Sequence, residues 1–295
     1  MNSHTIPSRR RFLKTGVLFL TASGKAVFTA ADDPSADKAK LRIGLLTDVH
    51  YAQRDTAGTR RYRESLRKMG EAVAALKERK AAITFELGDF TDEAPDAATK
   101  ISYIKRIDAE FRKAGGECRH VLGNHCVDNV TKEEHLAAVG EDNTFYSFDR
   151  EGFHFVVLDA CFRSDGEPYR RGDFDWTDSN VSSEQLQWLK SDLASTAKPA
   201  IVAIHQRLDC GGNIGVKNAH LVREILEDSG RVRVVFQGHH HQNDYTQIGG
   251  IHYCTLRSVV DGPFPEHSAY AVVDFFKDGN IRVEGFREQD AYRWS

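Results

Sequence analysis

The chain has 295 residues, 40% hydrophobic and 28% charged, with a formal net charge of −3. That balance excludes collagen, extended disorder and a membrane-embedded bundle, and it leaves room for one or two globular domains with a sizeable core.

The first segment carries an address. Ser8-Arg9-Arg10-Arg11-Phe12-Leu13-Lys14 precedes an apolar stretch from Val17 that continues to Ala31, closing on the small residues Thr29-Ala30-Ala31. This is the layout of a twin-arginine export signal over residues 1–31, with the export machinery as a transient partner. Gly24 and Lys25 interrupt the run, which falls short of the ~20 apolar residues a span requires, so no stable membrane anchor is expected. The predicted location is periplasmic or extracellular. Without residues 1–31 the chain keeps 35 basic and 43 acidic side chains, a net charge of −8. Such a surface is a poor partner for the nucleic-acid phosphate backbone. Five widely spaced cysteines, with no Cys-x-x-Cys pair, predict neither a disulfide framework nor a thiolate metal site.

Residues 32–40, rich in Ala, Asp, Pro, Ser and Lys, read as a solvated linker. The folded domain is expected over 41–290. Short apolar runs at Leu41–Leu46, Ile83–Leu87 and His120–Leu122 predict strands. Between them, Leu66, Met69, Val73 and Leu76, then Ile101, Ile104, Ile107 and Phe111, recur at helical spacing. Strands alternating with helices predict an α/β domain with a central, largely parallel sheet. The second half repeats the theme. It offers Phe153–Leu158, a helix opening at Ser182 with Gln185 as its capping-box partner, Ala200–Ile204, a helix near Ala219–Leu226, and Arg233–Phe236. From Tyr245 to Phe286, short runs separated by Gly249-Gly250, Gly262-Pro263 and Asp278-Gly279 predict antiparallel hairpins. The aperiodic stretch 160–181, with Phe162, Tyr169, Phe174 and Trp176, predicts an ordered lid or pocket wall.

Polar residues follow each strand-like run: Asp48-Val49-His50, Gly88-Asp89, Gly123-Asn124-His125, His205, and Gly238-His239-His240-His241. Ligands of open α/β sheets bind beyond the carboxyl ends of the strands, so these groups are expected in one crevice. Two carboxylates, an amide and several imidazoles suit manganese, iron or zinc, and they are numerous enough for two ions. A pair of cations ~3.5–4 Å apart favours in-line displacement at phosphorus, because it activates water and neutralises the non-bridging oxygens. Hydrolysis of a phosphate ester or anhydride is the chemistry this predicts. His240 is expected to face away, as alternate residues of an extended segment do.

This ordered set of motifs resembles the calcineurin-like metallophosphoesterase superfamily from Leu41 to about Phe286. The resemblance implies a single-domain, four-layer αββα sandwich. It implies one metal held by Asp48, His50, Asp89 and His241, and a second held by Asp89, Asn124, His205 and His239. Asp89 would bridge the two, and His125 would protonate the leaving group or bind the phosphate. Within the superfamily the chain looks most like the cyclic-nucleotide phosphodiesterases and the manganese-dependent ADP-ribose/CDP-alcohol diphosphatases. Thr59–Leu66, Phe155–Asp159 and Ser183–Leu189 carry the likeness to the diphosphatases. That implies a small, nucleotide-derived phosphorylated substrate, with Arg60, Arg61, Arg63 and Arg207 as candidate contacts. Two departures stand out: the diphosphatase pattern has glutamine where this chain has His50, and Cys126 replaces the acidic residue that often follows Gly-Asn-His. A broad phosphomonoesterase using the same site and, remotely, a non-catalytic protein-binding scaffold are the alternative readings.

Overall fold

The computed structural model describes residues 39–295 and, before them, two antiparallel four-residue strands, β1 (Val17–Leu20) and β2 (Ala26–Thr29). The rest of the expected signal and linker lies outside the described residues. Residues Ala39–Ser295 form one compact unit. No helix among the described residues is long and apolar enough to cross a membrane.

Two six-stranded mixed sheets organise that unit. The first contains β3 (Leu41–Leu46), β4 (Ile83–Glu86), β5 (Glu117–His120), β12 (Ala269–Phe275), β13 (Ile281–Arg287) and β14 (Tyr292–Trp294), in the order β14-β13-β12-β3-β4-β5. The second contains β6 (Tyr146–Arg150), β7 (Phe153–Val157), β8 (Ala200–Ala203), β9 (Val232–Gln237), β10 (Asp244–Ile248) and β11 (Ile251–Thr255), in the order β10-β11-β9-β8-β7-β6. The parallel strands are β3-β4-β5, at one end of the first sheet, and β7-β8-β9-β11, at the centre of the second, and the remaining pairings are antiparallel.

Period-two alternation assigns the faces. Ile43, Leu45, Phe85, Phe155, Val157, Ile201 and Phe236 meet between the sheets in one apolar layer. The opposite faces carry Leu46 and Val272 in the first sheet and Val156, Val202 and Val235 in the second. Helices α1 (Ser65–Glu78) and α2 (Ala97–Phe111) cover the first with Met69, Val73, Ile107 and Phe111. Helices α4 (Ser183–Ser195) and α5 (Ala219–Ser229) cover the second with Leu189, Leu193, Val222 and Leu226. The result is the four-layer αββα order, with central strands largely buried on both faces and therefore mostly apolar in sequence.

Several local expectations shift. The tail is shared: β10 and β11 join one sheet, while β12 to β14 join the other, and β14 with buried Trp294 lies past the expected boundary at 290. Gly249-Gly250 and Asp278-Gly279 do turn hairpins, but Gly262-Pro263 belongs to a loop that returns to the site. Ser182 caps α4 through the Gln185 amide (3.2 Å), yet the Gln185 side chain bonds the backbone of Asp159 on both sides (2.9 and 2.8 Å) instead of closing a box. A full capping box sits unforeseen at Thr131 and Glu134, opening the short helix α3 (Lys132–Val139). The cysteines are all free.

Candidate metal centre

Each motif begins where a strand ends and the backbone must turn sharply. Asp48, His50, Asp89, His239 and His241 all have left-handed backbones, with φ between 45° and 69°. Residues with side chains adopt that region at a cost, and a cluster of them marks a geometry the surrounding structure enforces. The enforcement is a backbone lattice. Asp48 N donates to Gly88 O (3.0 Å), His50 N to Asp89 O (2.8 Å), Gly238 N to His205 O (2.9 Å), and Val260 N to Asp48 O (3.1 Å).

Two buried lysines pin these loops from below. The Lys68 ammonium donates to the carbonyls of Val259, Val260, Asp261 and Gly262 at 2.7–3.0 Å. Lys100 donates to the carbonyls of Thr91, Asp92 and His125 at 2.6–3.2 Å. Glycine is required where the loops touch. A Cβ on Gly88, itself at φ 104°, would stand 2.5 Å from the His205 ring, and one on Gly123 would stand 2.3 Å from both Asp89 N and Oδ1. Gly123→Ala is therefore expected to displace the Asp89 carboxylate, cost about 1–3 kcal/mol in stability and reduce metal content. Thermal melting together with metal analysis of the purified variant checks this, and unchanged metal content would contradict it.

Both carboxylates are pinned by one oxygen and present the other. Asp48 Oδ2 accepts from Thr47 Oγ1 (2.8 Å) and His239 N (3.0 Å), while Oδ1 lies 3.2 Å from His241 Nε2 and 3.6 Å from His50 Nε2. Asp89 Oδ1 accepts from His125 N (2.8 Å), while Oδ2 lies 3.2 Å from His205 Nε2 and 3.6 Å from His50 Nε2. His239 Nδ1 stands 3.2 Å from His205 Nε2, and His50 Nε2 stands 3.2 Å from His241 Nε2. Ligand atoms thus gather in overlapping groups: Asp48, His50 and His241; His50, Asp89 and His125; Asp89, His205 and His239.

The donor set fits divalent cations on a direct structural criterion. Asp48 Oδ1, Asn124 Oδ1 and His239 Nε2 are buried and lack any hydrogen-bond partner. Buried polar atoms are ordinarily satisfied, and two orphans within the ligand cluster, with a third on the Gly123–His125 loop that packs on Asp89, are what cations would satisfy. Borderline nitrogen and hard oxygen donors without thiolate are the set for manganese, iron or zinc.

A second ring of acceptors orients the imidazoles, and sequence reading missed it. Donors are His50 Nδ1 to Asp92 Oδ2 (2.9 Å), His241 Nδ1 to Asp261 Oδ2 (2.8 Å), His125 Nδ1 to Asp128 Oδ2 (2.8 Å) and His205 Nδ1 to Leu87 O (2.8 Å). These bonds turn Nε2 of His50, His205 and His241 inward. Asp92 was detectable as the last residue of Gly88-Asp89-Phe90-Thr91-Asp92, three positions beyond Asp89 in the same loop. Asp92→Ala is expected to lower activity or metal affinity about 10–100-fold, the usual cost of losing such an orienting partner. Measuring activity across a Mn2+ titration separates the two, and wild-type behaviour in both would refute the role.

Charge follows the geometry. Burial alone would raise Asp48 and Asp89, but the facing imidazoles hold both well below the usual carboxylate range. His125 has the converse balance: burial opposes its charge, yet Asp89 and Asp128 raise its pKa. The charged form of His125 is thereby favoured, on a side chain that stays partly exposed.

The arginines divide. Arg60 donates to Asp92 Oδ2 (3.3 Å), on the His50 side of the cluster, and Arg54, which was not anticipated, donates to Asp92 Oδ1 (2.7 Å). Arg61 turns to Gly58 O and Arg63 to Asp55, both at the surface. Arg207 is buried and committed to Asp209 (2.7 Å) and Asp244 (2.7 Å), so its charge is already neutralised. His240 faces Arg207 (3.2 Å), away from the cluster.

Residues 41–243 match the family model described as calcineurin-like phosphoesterase. The chain belongs to that family. It is a hydrolase of phosphate esters, and the scaffold alternative is set aside. Among curated relatives, the manganese-dependent ADP-ribose/CDP-alcohol diphosphatases of Oryza sativa subsp. japonica and Arabidopsis thaliana are 24% and 26% identical. Their alignments cover 88% and 82% of this chain and 95% and 93% of theirs. A probable cyclic nucleotide phosphodiesterase of a Synechococcus strain is 23% identical over 72% of this chain and 77% of its own. A dimetal phosphatase from Danio rerio superposes with a TM-score of 0.76 at 20% identity, covering 87% of this chain and 99% of that one, which supports the fold.

Proposed function

We propose that this calcineurin-like phosphoesterase cleaves a phosphoric anhydride or diester bond in a small nucleotide-derived substrate, of the ADP-ribose or CDP-alcohol kind. The observation that carries the reading is Asp89, shared between two ligand groups, with His125 beside it in a setting that favours the charged imidazole. Asp48, His50, Asp89 and His241 would hold one ion and Asp89, Asn124, His205 and His239 the other; manganese or iron is the proposed pair. When bound, such ions supply water activation and neutralise charge developing on phosphorus.

The chain's own residues do the rest. Asp89 Oδ1, held by His125 N, fixes the acid relative to the ligand cluster. His125 Nε2 gives its proton to the departing oxygen as the phosphorus–oxygen bond breaks, and Asp128 on Nδ1 stabilises its charged form until then. Arg60 lies half-exposed beside Asp92 and is placed to receive a second phosphate. Arg61 and Arg63 were candidates for the same task, but their surface partners make Arg60 and Arg54 the better ones. The support for a nucleotide-derived substrate is the near full-length match to the two diphosphatases. Twin-arginine export to the periplasm or exterior belongs to the same proposal and rests on Arg9 to Lys14.

Product analysis tests the reading. Manganese-loaded protein is expected to convert ADP-ribose to AMP and ribose 5-phosphate, with Asp89→Asn as the blank. Intact ADP-ribose alongside ready hydrolysis of p-nitrophenyl phosphate would overturn it in favour of a phosphomonoesterase on the same site.

A further inference from the structure

Trp176 is 45% exposed, a large apolar side chain left in solvent beside the ligand cluster. Its ring centroid lies 5.6 Å from that of His239, inclined at 59°. The other two tryptophans have packing roles: Trp188 lies against Phe145, and Trp294 is buried in β14.

The segment that presents Trp176 is ordered. Tyr169 is fully buried and stacks on Phe174 with centroids 4.0 Å apart and planes 5° from parallel. Tyr169 Oη donates to Asp175 O (3.0 Å), immediately before the indole. The Asp175 carboxylate accepts from Thr177 N (2.9 Å) and Thr177 Oγ1 (2.8 Å), closing a tight turn with Trp176 at its tip. Asp178 then accepts from Ser164 N and Oγ at 3.0 Å, tying the two arms of the loop together. The indole is thus held at a fixed place beside His239 with part of its surface open to a planar group.

The cleft also has two unlike sides. Trp176 lies against His239 and His239 against His205, whereas His50 lies against His125 and bonds Asp92, which pairs with Arg60 and Arg54. One side offers a π-face and the other cationic charge. A substrate with a planar base at one end and a further phosphate at the other matches that order.

We propose that Trp176 is the stacking platform for the base of the substrate, setting the nucleotide end of the cleft on the His239 side. This rests on the nucleotide reading above and adds the residue that would select it. Arg54 and Arg60 then face the phosphate remote from the base.

Calorimetric titration of the manganese-loaded full chain with AMP and with ribose 5-phosphate tests the assignment without requiring turnover. Base–aromatic stacking predicts tighter binding of AMP than of ribose 5-phosphate, and Trp176→Ala should weaken AMP about 5- to 150-fold. Ribose 5-phosphate affinity should stay unchanged in that variant, and Trp176→Phe should restore most of the AMP affinity. Saturable quenching of indole emission by AMP, absent in Trp176→Phe, is the accompanying signature. Equal loss for both ligands would make Trp176 a structural part of the loop, and equal wild-type affinities would remove the platform; either overturns the proposal. The two readings fail separately. ADP-ribose cleavage with an unchanged KM in Trp176→Ala refutes the platform alone, whereas base-dependent AMP binding without ADP-ribose cleavage refutes the substrate assignment alone.

Discussion

Replacing Asp89 with asparagine is expected to lower phosphate-ester hydrolysis by more than about a thousandfold while the fold survives. Losing a single electrostatic donor in an active site costs ~10²–10³-fold, and Asp89 serves three ends at once. Its Oδ2 belongs to two ligand groups, 3.2 Å from His205 Nε2 and 3.6 Å from His50 Nε2. Its charge is the largest influence raising the pKa of His125 against burial, so the amide also leaves His125 less often protonated. The neutral amide leaves Asp48 as the only carboxylate among the proposed ligands. Metal analysis should then show fewer than two ions per chain, and the thermal transition should approach that of metal-free wild type. Asp165→Asn, at an exposed carboxylate paired with Arg163, should keep full activity. Near-normal turnover by Asp89→Asn with two ions retained would defeat the whole assignment.

Stripping the metals is expected to lower the melting temperature steeply and by an amount that grows with pH. A ligand at a thousand times its dissociation constant stabilises by ~4 kcal/mol per site, and each kcal/mol moves a chain of this size by ~2–4 °C, so two sites give a shift on the order of 15 °C or more. The pH trend follows from the metal-free imidazoles. Burial opposes their charge, but Asp89 lifts His205 to about 9, and Asp48 with Asp261 lifts His241 to about 10. Burial and the His205 charge push His239 the other way, to about 3. At neutral pH the metal-free protein therefore carries protons on His205 and His241 that an incoming cation must displace. Raised folded-state values stabilise the metal-free protein fully below the unfolded value of ~6.5, and this contribution fades as pH rises through about 9 and 10. Metal affinity rises over the same interval. The gap between manganese-loaded and chelator-treated melting temperatures should widen from about pH 6 to about pH 9, with about two protons released per chain on loading near pH 7. A gap that narrows with rising pH, or loading without proton release, would contradict the ligand roles of His205 and His241.

What the sequence disclosed depended on burial. Strands β3, β4, β8 and β9 are largely buried on both faces, so each is a mostly apolar run ended by a polar motif, and the motifs pointed to the cluster directly. Helices α1, α2, α4 and α5 each bury one face and kept a readable period. Strand β6 sits at an edge with half-exposed residues, and α3 is eight residues long with few apolar positions, so neither left a pattern to read. Val121 and Leu122 drew the third strand too far, because apolar residues also line the turn that follows β5. The pairing of β10 and β11 with one sheet and β12 to β14 with the other is a long-range outcome that no local window contains. Asp261 went unseen for the same reason: it is remote in sequence from the Thr59–Arg60 loop it faces, and its bond to His241 exists only after the loop after β11 folds back.

Neither sheet owns a complete ligand set. Asp48, His50, Asp89 and Asn124 follow strands of the first sheet, and His205, His239 and His241 follow strands of the second, so each proposed ion touches both. Contacts such as His239 N to Asp48 Oδ2 span 191 residues of chain, the kind of closure that forms late because its loop entropy is spent before any contact repays it. The cations would thus act as rivets between the two sheets. A chain whose two sheets failed to dock in this arrangement would lack a complete ligand set for either ion.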